Sequence, residues 1–204
     1  MGKVILIGAT KGGVGKSVSS YNLAYSLVSL GKKVLAIDFD SQANLTTCFG
    51  VEDTAAVPIT IGHLMMAQME DEKLRLEMGA ERMLANIIEP LRDSYDYLII
   101  DTCPALGALT INALAAADGV VITVNPQLLA MMGLQDFLKT IKKIKSRINP
   151  KLEVEGILLT MCEARTNLCK VISEQVAETF EGQIKIFNSK IPSTVKVGES
   201  IYYS

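Results

Sequence analysis

The 204-residue sequence contains no tryptophan, and aromatic residues make up 5% of it. Stacking platforms for single-stranded nucleic acid are therefore not expected. There is one histidine, His63, which excludes any centre that needs two. The four cysteines, Cys48, Cys103, Cys162 and Cys169, form no C-x-x-C pair. Neither a zinc knuckle nor a thioredoxin-like site is indicated, and buried, reduced thiols are the expectation. A dominant charge is lacking as well: 20 Lys and Arg against 22 Asp and Glu give a net charge of −2. That excludes a globally basic nucleic-acid binder and leaves room for a local basic patch. No apolar run approaches the roughly 18 residues of a membrane span. The short apolar run after Lys3 passes straight into a glycine-rich loop, unlike a secretory leader, so a cytoplasmic protein is expected. Hydrophobic residues reach 49%, which excludes intrinsic disorder.

What is present is an alternation. Short apolar, β-branched runs at 3–9, 33–38, 97–101, 120–124 and 156–160 read as strands, and 185–187 as a possible sixth. Helical stretches lie between them at 16–30, 61–92 (broken near Gly79), 109–117 and 130–147, and another follows at 168–181. In the first, Leu23, Ala24, Leu27 and Leu30 recur at helical spacing, and Gly31 reads as its stop. Strands separated by helices predict a mainly parallel sheet with helices on both faces, an α/β fold. With no linker-like stretch, residues 1–204 read as one domain. In such a sheet, ligands bind beyond the carboxyl ends of the strands.

The loop after the first strand reads Thr10-Lys11-Gly12-Gly13-Val14-Gly15-Lys16-Ser17 and runs into a helix. Strand, glycine-rich loop, Lys-Ser and helix N-terminus together make a phosphate cradle. The glycines let backbone N–H groups turn towards phosphate oxygens. Lys16 is placed to reach the β and γ phosphates, and the Ser17 hydroxyl to ligate Mg²⁺. Thr10 stands where the common form of this loop has its first glycine, and Lys11 adds a second lysine. Asp38, Asp40 and Asp101 each follow or close an apolar strand. A carboxylate there is costly unless something positive meets it. Metal or nucleotide positioning is the reading for all three, against capping for Asp101 and Asx-turn chemistry for Asp38 and Asp40.

The run from Lys11 to Ser17 resembles the deviant Walker A loop of the ParA/MinD group of P-loop ATPases. The resemblance continues through Asp38-Phe39-Asp40-Ser41-Gln42-Ala43-Asn44 and through Tyr97 to Gly107. It extends to Thr110–Leu114, Gly156–Met161, Ala164–Asn167 and Ile191-Pro192, and it is strongest to the Soj/ParA partition branch. It implies a P-loop NTPase-like fold, ATP and Mg²⁺ as cofactors, and an ATP-dependent sandwich homodimer. Lys11 would reach across to the partner subunit's phosphates, with Gly12 where the subunits meet. Lys11, Lys16 and Asp40 form the implied catalytic set, Asp40 orienting the attacking water. Gly12, Gly13, Val14, Gly15, Ser17 and Val18 join the two lysines around the nucleotide. Met161 and Pro192 lie near the adenine, and Ser17, Asp38 and Asp101 attend the metal. The resemblance also implies nonspecific duplex-DNA binding by the ATP dimer, release by a DNA-bound, ParB-like activator, and nucleoid association without a membrane. Arg165, Lys170, Lys190 and Lys196 are the DNA candidates. Lys139, Lys142, Lys143, Lys145 and Arg147 spread around a helix and read as a solvated face.

The chain departs from the family in three places. The link at 51–96 is short, the chain stops soon after Ser200, and Ser193-Thr194 follow Ile191-Pro192 where the family often has Arg-Asn. A MinD-like membrane-associated positioning ATPase and a non-hydrolysing, nucleotide-locked DNA-coating or adaptor protein stay open as alternatives. An iron–sulfur protein on this fold has only Cys103 in the right region. A tyrosine kinase has only Tyr202 and Tyr203.

Overall fold

The strands form where β-branched and leucine side chains run without interruption, because a strand covered on both faces needs no polar alternation. In the computed structural model, residues 1–9, 11–51, 53–70, 79–104, 106–127, 130–162, 167–180 and 182–194 are described. Strands β1 (Lys3–Gly8), β2 (Val34–Phe39), β3 (Tyr97–Thr102), β4 (Gly119–Val124) and β5 (Glu153–Leu159) make one sheet. All neighbours are parallel, in the order β2-β3-β1-β4-β5. The expected strand at 185–187 shrinks to a single parallel bridge between Ile186 and Ile157. β5 begins earlier than its apolar run, at Glu153.

Helix α1 (Lys16–Ser29) packs Leu23, Ala24 and Leu27 against Ile5, Ile7, Ile99 and Val121. The alternate residues Val4, Leu6, Leu98, Ile100, Val120 and Ile122 point the other way. They meet α4 (Met83–Ile88), α5 (Ala108–Ala116) and α6 (Ala130–Arg147), through side chains such as Leu84, Leu114 and Phe137. α7 (Asn167–Phe180) adds Ile172, Val176 and Phe180 to the same cluster. Each fully buried aliphatic side chain contributes about 1.5–3 kcal/mol relative to exposure.

Leu30, the last residue of that apolar series, is the C-cap of α1. It is 75% exposed, because the helix has already ended in a Schellman turn. Gly31 takes φ +77°, its N–H bonds Val28 O at 2.8 Å, and Lys32 N–H bonds Leu27 O at 3.0 Å. α2 (Asn44–Cys48) follows β2, and α3 (Ile61–Glu70) follows a 3-10 turn at Thr54–Ala56. His63 helps start α3: its Nδ1 accepts the Thr60 N–H, and Thr60 Oγ1 accepts the His63 N–H. The break near Gly79 holds, and Pro90 stands at the start of the 3-10 turn Glu89–Ser94 that succeeds α4.

One side chain ties the amino ends of the strands together. Asp118 Oδ2 accepts the Val4 N–H at 2.8 Å and an ion pair from Arg92. The Asp118 main chain bonds Val4 O and the Glu153 N–H. Arg92 Nε also donates to Gly2 O. Replacing Asp118 by Ala is expected to cost about 2–3 kcal/mol, because a backbone donor and a guanidinium lose their shared acceptor. Asp118→Asn should cost less, since its carbonyl oxygen still serves Val4. Urea midpoints of the two variants check this ranking, and equal midpoints would refute it.

Candidate functional site

The candidate site lies where β1, β2 and β3 end. After Gly8 the chain turns through the glycine loop into α1. Gly13 and Gly15 take φ of +69° and +74°, conformations that a Cβ resists. Gly15 is the N-cap of α1, with no side-chain cap and no acidic residue in the first turn. The free N–H groups and positive end of the helix dipole are thus left for an anion. Two hydroxyls hold the loop down: Thr123 Oγ1 donates to Gly8 O at 3.3 Å and Thr160 Oγ1 to Val14 O at 2.8 Å.

Lys16 is 7% exposed, while Lys11 stands in solvent at the mouth of the loop. Val14 is buried, and Ser17 and Val18 are half-buried in the first turn. Asp101 is fully buried, opposite Asp38 in the β2–β3 register. Its Oδ1 accepts a hydrogen bond from Ser20 Oγ at 3.2 Å, and its Oδ2 has no partner. Burial pushes the Asp101 carboxyl up to about 6, reinforced by Asp38 and opposed by Ser17, Lys16 and Ser20.

Asp38 and Asp40 also organise their own turn. Asp38 Oδ2 accepts the N–H and hydroxyl of Thr46 at 2.8 and 2.7 Å, and its Oδ1 accepts the Asp40 N–H. Asp40 Oδ1 accepts the Gln42 N–H at 3.0 Å. Turn chemistry is therefore present at both, alongside any role towards a ligand.

The buried, unpartnered Asp101 oxygen is what a divalent cation or its water would satisfy. Among the described residues, no group of three or more His, Cys, Asp or Glu side chains could hold a metal. Ser17, Asp38 and Asp101 are the residues that would attend one. This sparse, all-oxygen set suits Mg²⁺, which keeps waters and takes phosphate oxygens.

The fold brings together the two segments expected near the adenine. Cys162 and Pro192 form a parallel bridge, with Cys162 N–H on Ile191 O at 3.0 Å. Met161 projects beside them with φ +54°, and Asn125 Nδ2 contacts its sulfur at 3.7 Å. Of the DNA candidates, Lys190 is exposed on the Pro192 segment and Lys170 lies in the first turn of α7. Arg165 and Lys196 lie outside the described residues. Lys139 and Lys145 pair with Asp136 and Glu153, and the lysines of α6 are mostly exposed, as expected of a solvated face.

Sequence reasoning passed over Ser20, Thr46, Asn125 and Thr160. Ser20 could have been found, since it sits one helical turn beyond Ser17 on the same face. Thr46 and Thr160 carry no such local signal.

The AAA_31 family model, an AAA domain, matches residues 2–70 and 54–154. The sporulation initiation inhibitor protein Soj of Bacillus subtilis is 37% identical over 228 aligned residues, covering 98% of this chain and 88% of that protein. The chromosome-partitioning ATPase Soj of Treponema pallidum is 36% identical, covering 98% and 87%. Among solved structures, cobyrinic acid a,c-diamide synthase from Mycobacterium smegmatis, with bound ATP analogue and magnesium, superposes with a TM-score of 0.85. It is 27% identical, over 96% of this chain and 86% of that one.

A prediction follows from the Asp101 carboxyl. Its folded-state pKa of about 6 lies above the unfolded value of about 4. The stability it contributes when protonated is complete below about 4 and is lost as pH rises through about 6. Asp101→Asn should therefore stabilise the nucleotide-free protein near neutral pH by on the order of 2 kcal/mol. The difference from wild type should vanish towards pH 4, as followed by thermal melts. A difference that stays constant with pH would contradict this.

Proposed function

Because this chain belongs to the Soj/ParA family of P-loop ATPases, we propose that it is a DNA-partitioning ATPase that hydrolyses ATP to ADP and phosphate with Mg²⁺. The observation that carries the reading is the pairing of an uncapped α1 N-terminus and buried Lys16 with a buried, half-unpartnered Asp101. An anion fits the first pair and a cation the second, and a metal–polyphosphate supplies both. Residues 1–204 would act as one ATPase domain, since the sheet runs unbroken from β2 to β5.

Each group then has a physical task. The N–H groups of the loop and the Lys16 ammonium hold the β and γ phosphates. Mg²⁺, when bound, neutralises their charge. Ser17 and Asp101 would hold the metal, with Asp38 supporting it from the neighbouring strand. Asp40, whose Oδ1 accepts the Gln42 N–H, would orient the attacking water with its other oxygen. Phosphoryl transfer needs such positioning and charge neutralisation more than covalent chemistry. Met161 and Pro192 would border the adenine, with Asn125 beside them.

Lys11 has no such task within its own subunit. It is exposed and forms no ion pair among the described residues. Gly12 needs neither a positive φ nor room inside the chain: a Cβ added there would meet only Pro104 Cγ, at 3.8 Å. Both facts support a second subunit closing on the loop, with Lys11 reaching the opposite phosphates. ATP would thereby control dimerisation. The dimer would hold duplex DNA through phosphate contacts from Lys190 and Lys170, with Arg165 and Lys196, regardless of sequence. A DNA-bound, ParB-like partner would complete hydrolysis and release it, placing the protein on the nucleoid. Among the described residues, no helix is long and apolar enough to cross a membrane.

Two measurements test this. Binding to nonspecific duplex DNA at low salt is expected with ATP–Mg²⁺ and not with ADP–Mg²⁺ or without nucleotide. Binding indifferent to nucleotide would remove the switch. Lys16→Ala should abolish nucleotide binding, while Lys11→Ala should bind ATP normally and lose dimer-dependent turnover. Normal hydrolysis by Lys11→Ala would exclude the role across the interface.

A further inference from the structure

β2 is an edge strand, and among the described residues no strand lies along its outer side. Lys33 O accepts the Tyr97 N–H of β3 at 3.2 Å. Main-chain groups alternate between the two sides of a parallel strand, so Leu35 and Ile37 also bond towards β3. The N–H and C=O groups of Val34, Ala36 and Asp38 therefore face outward. Ala36 and Asp38 are half-buried and line a cleft of 640 Å³. The cleft is walled by Ile61 and Met65 of α3, Ile87 of α4, and Leu91. Its charged lining residues are Asp38 and Asp40, both at one end.

The two matched stretches of the family overlap at residues 54–70, which include α3 and its approach. The Bacillus subtilis alignment spans 228 positions against 204 residues here. That relative thus carries at least 24 residues with no counterpart in this chain. An uncovered edge offers a row of hydrogen-bonding groups that a further strand completes.

We propose that the outer edge of β2 is a docking site for an extended segment of a partner protein. The segment pairs with the main chain of Val34, Ala36 and Asp38 as an added strand. Its alternate apolar side chains face Ile61, Met65, Ile87 and Leu91, and a basic residue lies beside Asp38 and Asp40. A single strand fits better than a second copy of the chain, because residues of the α2 segment and of α3 flank the edge on either side. Any effect of docking on hydrolysis rests on the ATPase reading; the docking itself does not.

Amide hydrogen exchange, followed by NMR on the full nucleotide-free chain, tests the site apart from turnover. The probe is a capped synthetic peptide of alternating threonine and valine with lysine at each end, at millimolar concentration. The Val34, Ala36 and Asp38 amides are expected to exchange fast in the free protein and to slow about tenfold with peptide. Leu35 and Ile37 should be protected throughout. Ala36→Pro removes an outward N–H without touching the β2–β3 ladder, so it should leave the fold intact and prevent the slowing. Outward amides already as protected as Leu35, or unmoved by the peptide, would overturn the proposal. Protection that grows with protein concentration would overturn it too, by assigning the edge to a second copy.

Discussion

Asp101 puts a fully buried carboxylate beside Asp38, with one oxygen on Ser20 and the other on no partner. A charge so placed is expensive unless a cation offsets it. The central sheet tolerates it only because the surrounding geometry brings positive potential to the same point. Lys16 and the first turn of α1 approach from β1, the strand next to β3, where Ile7 lies opposite Asp101. The folded chain thus leaves a buried carboxylate oxygen unsatisfied, the pattern in which stability is traded for function.

That receptor depends on rigid anchoring of an irregular loop. Two left-handed glycines turn the chain, and the Thr123 and Thr160 hydroxyls hold it to the ends of β4 and β5. Thr160 also begins the Met161–Cys162 segment, which pairs with Ile191 and Pro192. The phosphate end and the proposed base end of the site are therefore one mechanical unit.

The two ends of the sheet divide the labour. At the amino ends, Asp118, Arg92 and the main chain of Gly2, Val4 and Glu153 bond to one another. At the carboxyl ends, donors and acceptors are left open. A parallel sheet with helices on both faces produces this asymmetry, since all strands finish together and their loops converge there.

Much of this was legible in the sequence. Uninterrupted apolar runs located all five strands, because full burial on both faces leaves a local mark. Gly31 and Gly79 marked real breaks, since backbone conformation is a local property. The glycine-rich loop that turns into α1 was legible for the same reason: its residues are contiguous. Residues 185–187 misled, because one bridge and a full strand look alike in three residues.

The sequence by itself determined the α/β alternation, the glycine-rich loop before α1 and the carboxylates at the ends of β2 and β3. Only the tertiary structure decided the strand order, which sets Asp38 against Asp101 and leaves β2 at the edge. It also decided that Thr160 reaches Val14, 146 residues away, and that Cys162 meets Pro192. The reason is physical. Periodicity and turn chemistry act between near neighbours along the chain, whereas burial, pairing and charge compensation depend on which distant segments the packed core brings into contact.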